Sequence, residues 1–142
     1  MILCDVNVLI NAYRPDVPDH ARWRAWLQGQ LGSDEAFAVS PLVLSAFTRI
    51  VTNRRAFIEP DSVEGALGFC ESLLSAPHAI VVTEGRRHWE IFTGLCRKVE
   101  AKGNLVPDAY LAALAIEHGC EWISADRDFA RFPGLRWRHP LD

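Results

Sequence analysis

The chain has 142 residues, enough for one domain whose core needs no disulfide or metal staple. Its 49% hydrophobic and 23% charged content is ordinary for a globular protein and excludes an unfolded tail. The net charge of −3, from 18 acids against 15 bases, argues against a non-specific polyanion binder, yet 13 of those bases are Arg, the side chain suited to bidentate phosphate contacts.

Apolar runs and helical patterns alternate along the chain. Met1 to Cys4 reads as a buried strand ended by Asp5. Asp19 is placed to cap a helix running to about Leu31, with Trp23, Trp26, Leu27 and Leu31 on one face. Ala36 to Val39 is a second strand. Ser40 and Pro41 then form a strong helix start, and that helix ends near Asn53. Asp61 and Glu64 have capping-box spacing and open a helix through Leu74. Ala79 to Val82 is a third strand. The next helix spans about Glu84 to Ala101, with Trp89, Phe92, Cys96 and Val99 at helical spacing. Pro107 starts another, stopped by Gly119. Glu121 to Ser124 is a fourth strand, Asp126 to Arg131 a short helix, and Leu135 to Arg138 an edge strand. This alternation predicts an α/β fold with a parallel sheet covered on both faces, in one domain spanning residues 1–142.

No leader or membrane-spanning run is visible. Cys4, Cys70, Cys96 and Cys120 are widely spaced, which predicts free thiols and a cytoplasmic protein. The five histidines lack zinc-site spacing.

Open α/β sheets gather functional residues outside the carboxyl ends of their strands. Asp5 follows the first strand, Asp126 and Asp128 follow the fourth, and Asp108 stands in the first turn after Pro107. Carboxylates brought together on one rim repel, and a divalent cation such as Mg²⁺ or Mn²⁺ relieves that repulsion. Structural roles compete: Asp126 suits an N-cap, and Asp108 suits a helix N-terminus. Asp5 is harder to explain structurally, because an acid at the end of a buried strand rarely caps anything.

The residues resemble a known family. ILCDVNVLINAYR, VSPLVLSAFTRIVTN, GNLVPDAYLAALAIEHG and WISADRDFARFPGLRW look like four successive segments of PIN-domain nucleases. Their order and the chain length resemble the VapC toxins of VapBC toxin–antitoxin systems. The resemblance implies a three-layer α/β/α PIN-like domain with a central parallel sheet. It implies metal-site acids at Asp5, Asp108 and Asp126, with Asp128 a looser contributor, and supporting roles for Asn7, Ser124 and, more weakly, Asn104. It further implies a Mg²⁺- or Mn²⁺-dependent endoribonuclease leaving 5′-phosphate and 3′-hydroxyl ends. Structured RNA such as tRNA or rRNA would be the substrate, a VapB antitoxin the partner and a homodimer the assembly.

One position departs from the family. Its usual glutamate, six residues beyond the serine aligned with Ser40, is here Ala46. A metal held by three acids and waters is one consequence, with or without Asp128 leaning in. A weakly catalytic module that binds RNA or its antitoxin is the alternative. Arg127 and Arg131 flank the proposed site and are candidates for RNA phosphates, against a role as plain surface charge. The five tryptophans are better explained by core packing or an interface than by base stacking.

Overall fold

A computed structural model describes residues 1–142. Five strands, β1 (Ile2–Cys4), β2 (Phe37–Val39), β3 (Ala79–Val81), β4 (Glu121–Ile123) and β5 (Trp137–Arg138), form one sheet in the order β3-β2-β1-β4-β5. Every pairing is parallel, as the alternating pattern requires. The helices are α1 (Val6–Tyr13), α2 (His20–Leu31), α3 (Pro41–Val51), α4 (Val63–Leu74), α5 (His88–Val99) and α6 (Leu105–Glu117). A short 3₁₀ helix, Arg127–Arg131, joins β4 to β5.

Right-handed crossovers put α1–α4 on one face and α5 and α6 on the other. The packing agrees: α1 meets α2 and α3, α3 meets α4, and α5 meets α6. The result is the three-layer α/β/α arrangement. Central β1 is buried on both faces, so its sequence is continuously apolar. Phe47, Leu73, Trp122 and Phe129 are among the largest fully buried side chains. On α6, Ala109, Ala112, Ala113 and Ala115 are wholly buried. These small residues let the helix approach its neighbours closely, which holds its first turn near the sheet rim.

Several local expectations are corrected. Helix α1 was not anticipated, because it follows β1 with only Asp5 between them. Asp19 makes no capping bond; its backbone is left-handed (φ 59°). Ser62, not Asp61, caps α4 by accepting from the Gly65 N–H. Helix α5 starts at His88 rather than Glu84, and α6 starts two residues before Pro107. β3 is present at the predicted place, ends at Val81, and forms a sheet edge with Ile80 and Val81 exposed. Trp89 points to solvent, while His88 and Leu95 form the buried side of α5. Gly119 does end α6, with the positive φ (66°) that glycine tolerates without steric strain. All four cysteines are free.

Candidate functional site

The chain runs from β1 to β2 to β3, then returns across the sheet to β4 on the other side of β1. The crevice between the carboxyl ends of β1 and β4 is therefore the switch point, where such sheets bind ligands. Asp5 stands at one lip, and Ser124, Asp126 and Asp128 at the other.

Asp5 begins α1. Its Oδ1 accepts from the Val6 N–H at 2.7 Å, so it is an N-cap as well as a candidate site acid. Its Oδ2 accepts from the Ser124 hydroxyl at 2.6 Å and from the Asn7 amide at 3.0 Å. Ser124 is fully buried and fully used: its Oγ also accepts from Asn7 Nδ2 at 3.1 Å and from the Asp126 N–H at 3.0 Å. Asn7 Oδ1 in turn accepts from the Ala125 N–H at 3.1 Å. One network thus ties the end of β1 to the end of β4 and fixes the rotamer of Asp5. Asp126 caps the 3₁₀ helix through Oδ1, which accepts from the Asp128 N–H at 2.9 Å. Its other oxygen has no protein donor.

Asp108, in the first turn of α6, is half-buried and faces the same carboxylates. Burial, then the charges of Asp126, Asp5 and Asp128, push its carboxyl up to about 6. Burial, above all, also raises the Asp5 carboxyl against the opposing hydrogen bonds from Ser124, Val6 and Asn7. The three segments therefore bring their acids into mutual electrostatic reach.

No group of three or more His, Cys, Asp or Glu side chains is already assembled to hold a metal ion. The donor set nevertheless fits a hard divalent cation. It offers carboxylate oxygens alone, and Mg²⁺ keeps several waters and takes only one or two protein carboxylates in many sites. Burial first, and then the neighbouring carboxylate charges, disfavour the anionic forms of Asp108 and Asp5, and a cation would relieve that cost.

The remaining predicted residues divide. Asn7 and Ser124 sit in the network. Asp128 is exposed, and its charge reaches Asp108. Asn104 precedes α6, exposed and without a capping bond, and joins none of these carboxylates. Arg127 pairs with Asp142 through two bonds of 3.0 Å on the surface, and Arg131 is exposed and makes no ion pair. Ala46 lines an apolar cleft against Asp5, together with Leu42 and Tyr110, and these last two were not foreseen. The only advance signal for them was position: Leu42 in the first turn after Pro41, and Tyr110 two residues beyond Asp108.

Comparison with known proteins agrees with this geometry. The PIN domain family profile matches residues 2–135. Ribonuclease VapC43 of Mycobacterium tuberculosis is 48% identical over 142 residues, covering 100% of this chain and 97% of that protein. Ribonuclease VapC25 of the same organism is 43% identical over 140 residues, covering 99% of each. The structure of VapBC2 from Rickettsia felis bound to a promoter DNA fragment has the same fold (TM-score 0.72, 17% identity), with 97% of this chain and 98% of that chain covered. The chain belongs to the PIN-domain family and, within it, to the VapC ribonucleases, the endoribonuclease toxins of toxin–antitoxin pairs.

Proposed function

We propose that Asp5, Asp108 and Asp126 together hold a divalent cation, Mg²⁺ or Mn²⁺, for hydrolysis of an RNA phosphodiester, with Asp128 contributing from the 3₁₀ helix. The carrying observation is the buried Ser124 hydroxyl at the switch point of the sheet, which donates to the Asp5 carboxylate and accepts from the backbone N–H of Asp126, together with the charges of Asp5 and Asp126 acting on Asp108. When bound, the cation supplies Lewis acidity at the phosphate and a more acidic water.

The chain's own residues do the positioning. Ser124 and Asn7 hold Asp5 Oδ2, leaving its carboxylate little freedom to turn. The backbone of the 3₁₀ helix holds one oxygen of Asp126 and leaves the other open. Asp108 retains a proton further toward neutral pH than a free carboxyl, so it becomes fully anionic on meeting a cation.

The substrate class is structured RNA such as tRNA or rRNA, and a VapB-type antitoxin covers the site. The working assembly is a homodimer in the cytoplasm; no helix is long and apolar enough to cross a membrane. The experiment is Mn²⁺-dependent cleavage of total RNA by the wild type and by Asp5→Ala, with single-stranded DNA as a second substrate. Cleavage by the variant is expected to fall by at least about 100-fold. Undiminished cleavage by Asp5→Ala refutes the assigned site, and a preference for DNA refutes the substrate class.

A further inference from the structure

A cleft of about 360 Å³ opens directly beside Asp5. Its walls come from the N-terminal ends of three helices: Asp5 before α1, Leu42 and Ala46 in the first two turns of α3, and Pro107, Tyr110 and Leu111 in the first two turns of α6. The volume lies at the small end of the range for small-molecule sites, about 300–1,000 Å³. Asp5 is its one carboxylate, and no cationic side chain lines it. It is therefore unsuited to a phosphate and suited to a flat group with apolar faces.

Two features narrow the occupant. The cleft is continuous with Asp5, so whatever fills it lies next to the reacting phosphate. Tyr110 is also braced from behind. The His88 ring meets it edge-on with centroids 4.2 Å apart, and the Phe92 ring does so at 5.4 Å. The His88 ring further contacts the Tyr110 carbonyl oxygen, at 2.9 Å. A ring fixed in advance loses little freedom on binding. RNA-binding proteins read unstacked bases by laying them against such aromatic and apolar faces.

We propose that this cleft is a base-binding subsite, which takes one unstacked nucleobase adjacent to the scissile phosphate. The base lies against Pro107 and Tyr110, passes the exposed rim residue Leu42, and rests on the methyl group of Ala46. Ala46 thereby sets the depth of the cleft and is a specificity-determining residue, not merely the site of a missing acid. The inference rests on the ribonuclease reading of the Asp5 site, and its test separates the two.

The test has a catalytic arm and a binding arm. In the first, an RNA that the wild type cleaves with Mn²⁺ is resynthesised with one abasic nucleotide at each position in turn. Stacking of about 1–3 kcal/mol per base predicts that one position next to the cut lowers kcat/KM by about 5- to 150-fold. In Ala46→Leu, which shallows the cleft, that penalty is expected to disappear. In the second arm, adenosine, guanosine, cytidine and uridine are titrated separately into metal-free wild type. At least one should shift the methyl resonances of Ala46, Leu42 and Leu111. A flat abasic profile overturns the subsite, whether the cleft then serves an antitoxin side chain or nothing; so does a penalty unchanged in a folded Ala46→Leu. Where the wild type cleaves no RNA, the ribonuclease reading fails and the nucleoside shifts alone decide the cleft.

Discussion

Replacing Asp108 by Asn measures what burial and the neighbouring carboxylates together cost the Asp108 charge. In the folded, metal-free protein, burial and the charges of Asp126, Asp5 and Asp128 raise the Asp108 carboxyl from 3.8 to about 6. The folded state then binds a proton over a window in which the unfolded state has released it. Stability contributed by this group is therefore fully present below about 3.8 and is lost as pH rises toward about 6. Felt in full, that difference is worth about 3 kcal/mol. Asp108 is only half-buried, so solvent screening leaves about 1–2 kcal/mol. Asparagine keeps the shape and discards the charge. Asp108→Asn is thus expected to be more stable than wild type by about 1–2 kcal/mol near neutral pH, and equal to it near pH 4. The comparison cancels groups of opposite sign, such as Glu117 and Asp16, whose carboxyls are lowered by their partners. Urea denaturation of both proteins in chelator, across this pH range, reads the gap directly. A variant no more stable than wild type near neutral pH, or a gap unchanged near pH 4, refutes a buried, charge-crowded Asp108 at the rim.

Four further outcomes are expected. Ala46→Glu adds a carboxylate beside Asp5 and should tighten Mn²⁺ binding by about tenfold; calorimetry returning equal affinities would sink this. Ser124→Ala leaves Asn7, Asp5 and the Asp126 N–H without their shared partner, so cleavage should fall by about 10- to 100-fold. An unchanged kcat/KM would show that the hydroxyl does not position Asp5. Asp5→Ser keeps a side chain able to cap α1, whereas Asp5→Ala does not, so the serine variant should be more stable by about 1 kcal/mol. Both should be equally inactive, and equal melting temperatures would remove the capping role. Arg14→Ala breaks contacts to Asp16 at 2.7 Å and Asp61 at 2.9 Å and a stack on Phe57, all from a largely buried guanidinium. It should cost about 3 kcal/mol in urea denaturation, and a loss below about 1 kcal/mol would mean the cluster is unimportant.

What was legible in the sequence had a local cause. The placement of the acids was legible because strand ends and a proline-marked helix start are local signals, and a parallel sheet turns those positions into one rim; their role as metal ligands is the proposal. The order of strands and helices followed from alternating periodicity. The misses trace to contacts distant in sequence or to backbone state. Asp61 and Ser62 are adjacent and both suited to capping, and the choice between them depends on Tyr13 and Arg14, which engage Asp61 from more than 40 residues away. Asp19 has a capping side chain but a left-handed backbone, which residue type does not reveal. Helix α1 carried a helical pattern in Val6, Leu9, Ile10 and Tyr13, but no break separated it from β1. That omission made Asp5 look unemployed as a cap, when it both caps and faces the rim.

The net charge of −3 gives a misleading view of how this surface meets RNA. Asp5, Asp108, Asp126 and Asp128 share one rim, and setting those four aside turns −3 into +1. Among the arginines, Arg14, Arg127 and Arg138 are tied to acids. Arg54, Arg55, Arg86, Arg87 and Arg131 are exposed and make no ion pair. Arg86 and Arg87 lie in the loop after β3, at the same carboxyl edge of the sheet as Asp5. β3 is two strands from β1, so roughly 10 Å of sheet separates that loop from the acidic crevice. An RNA backbone crossing the rim meets free guanidinium groups on one side and carboxylates in the middle. On the site proposed above, those carboxylates would repel phosphate until a divalent cation neutralised them. Binding is then governed by the cation, with arginines adding an attraction that salt screens.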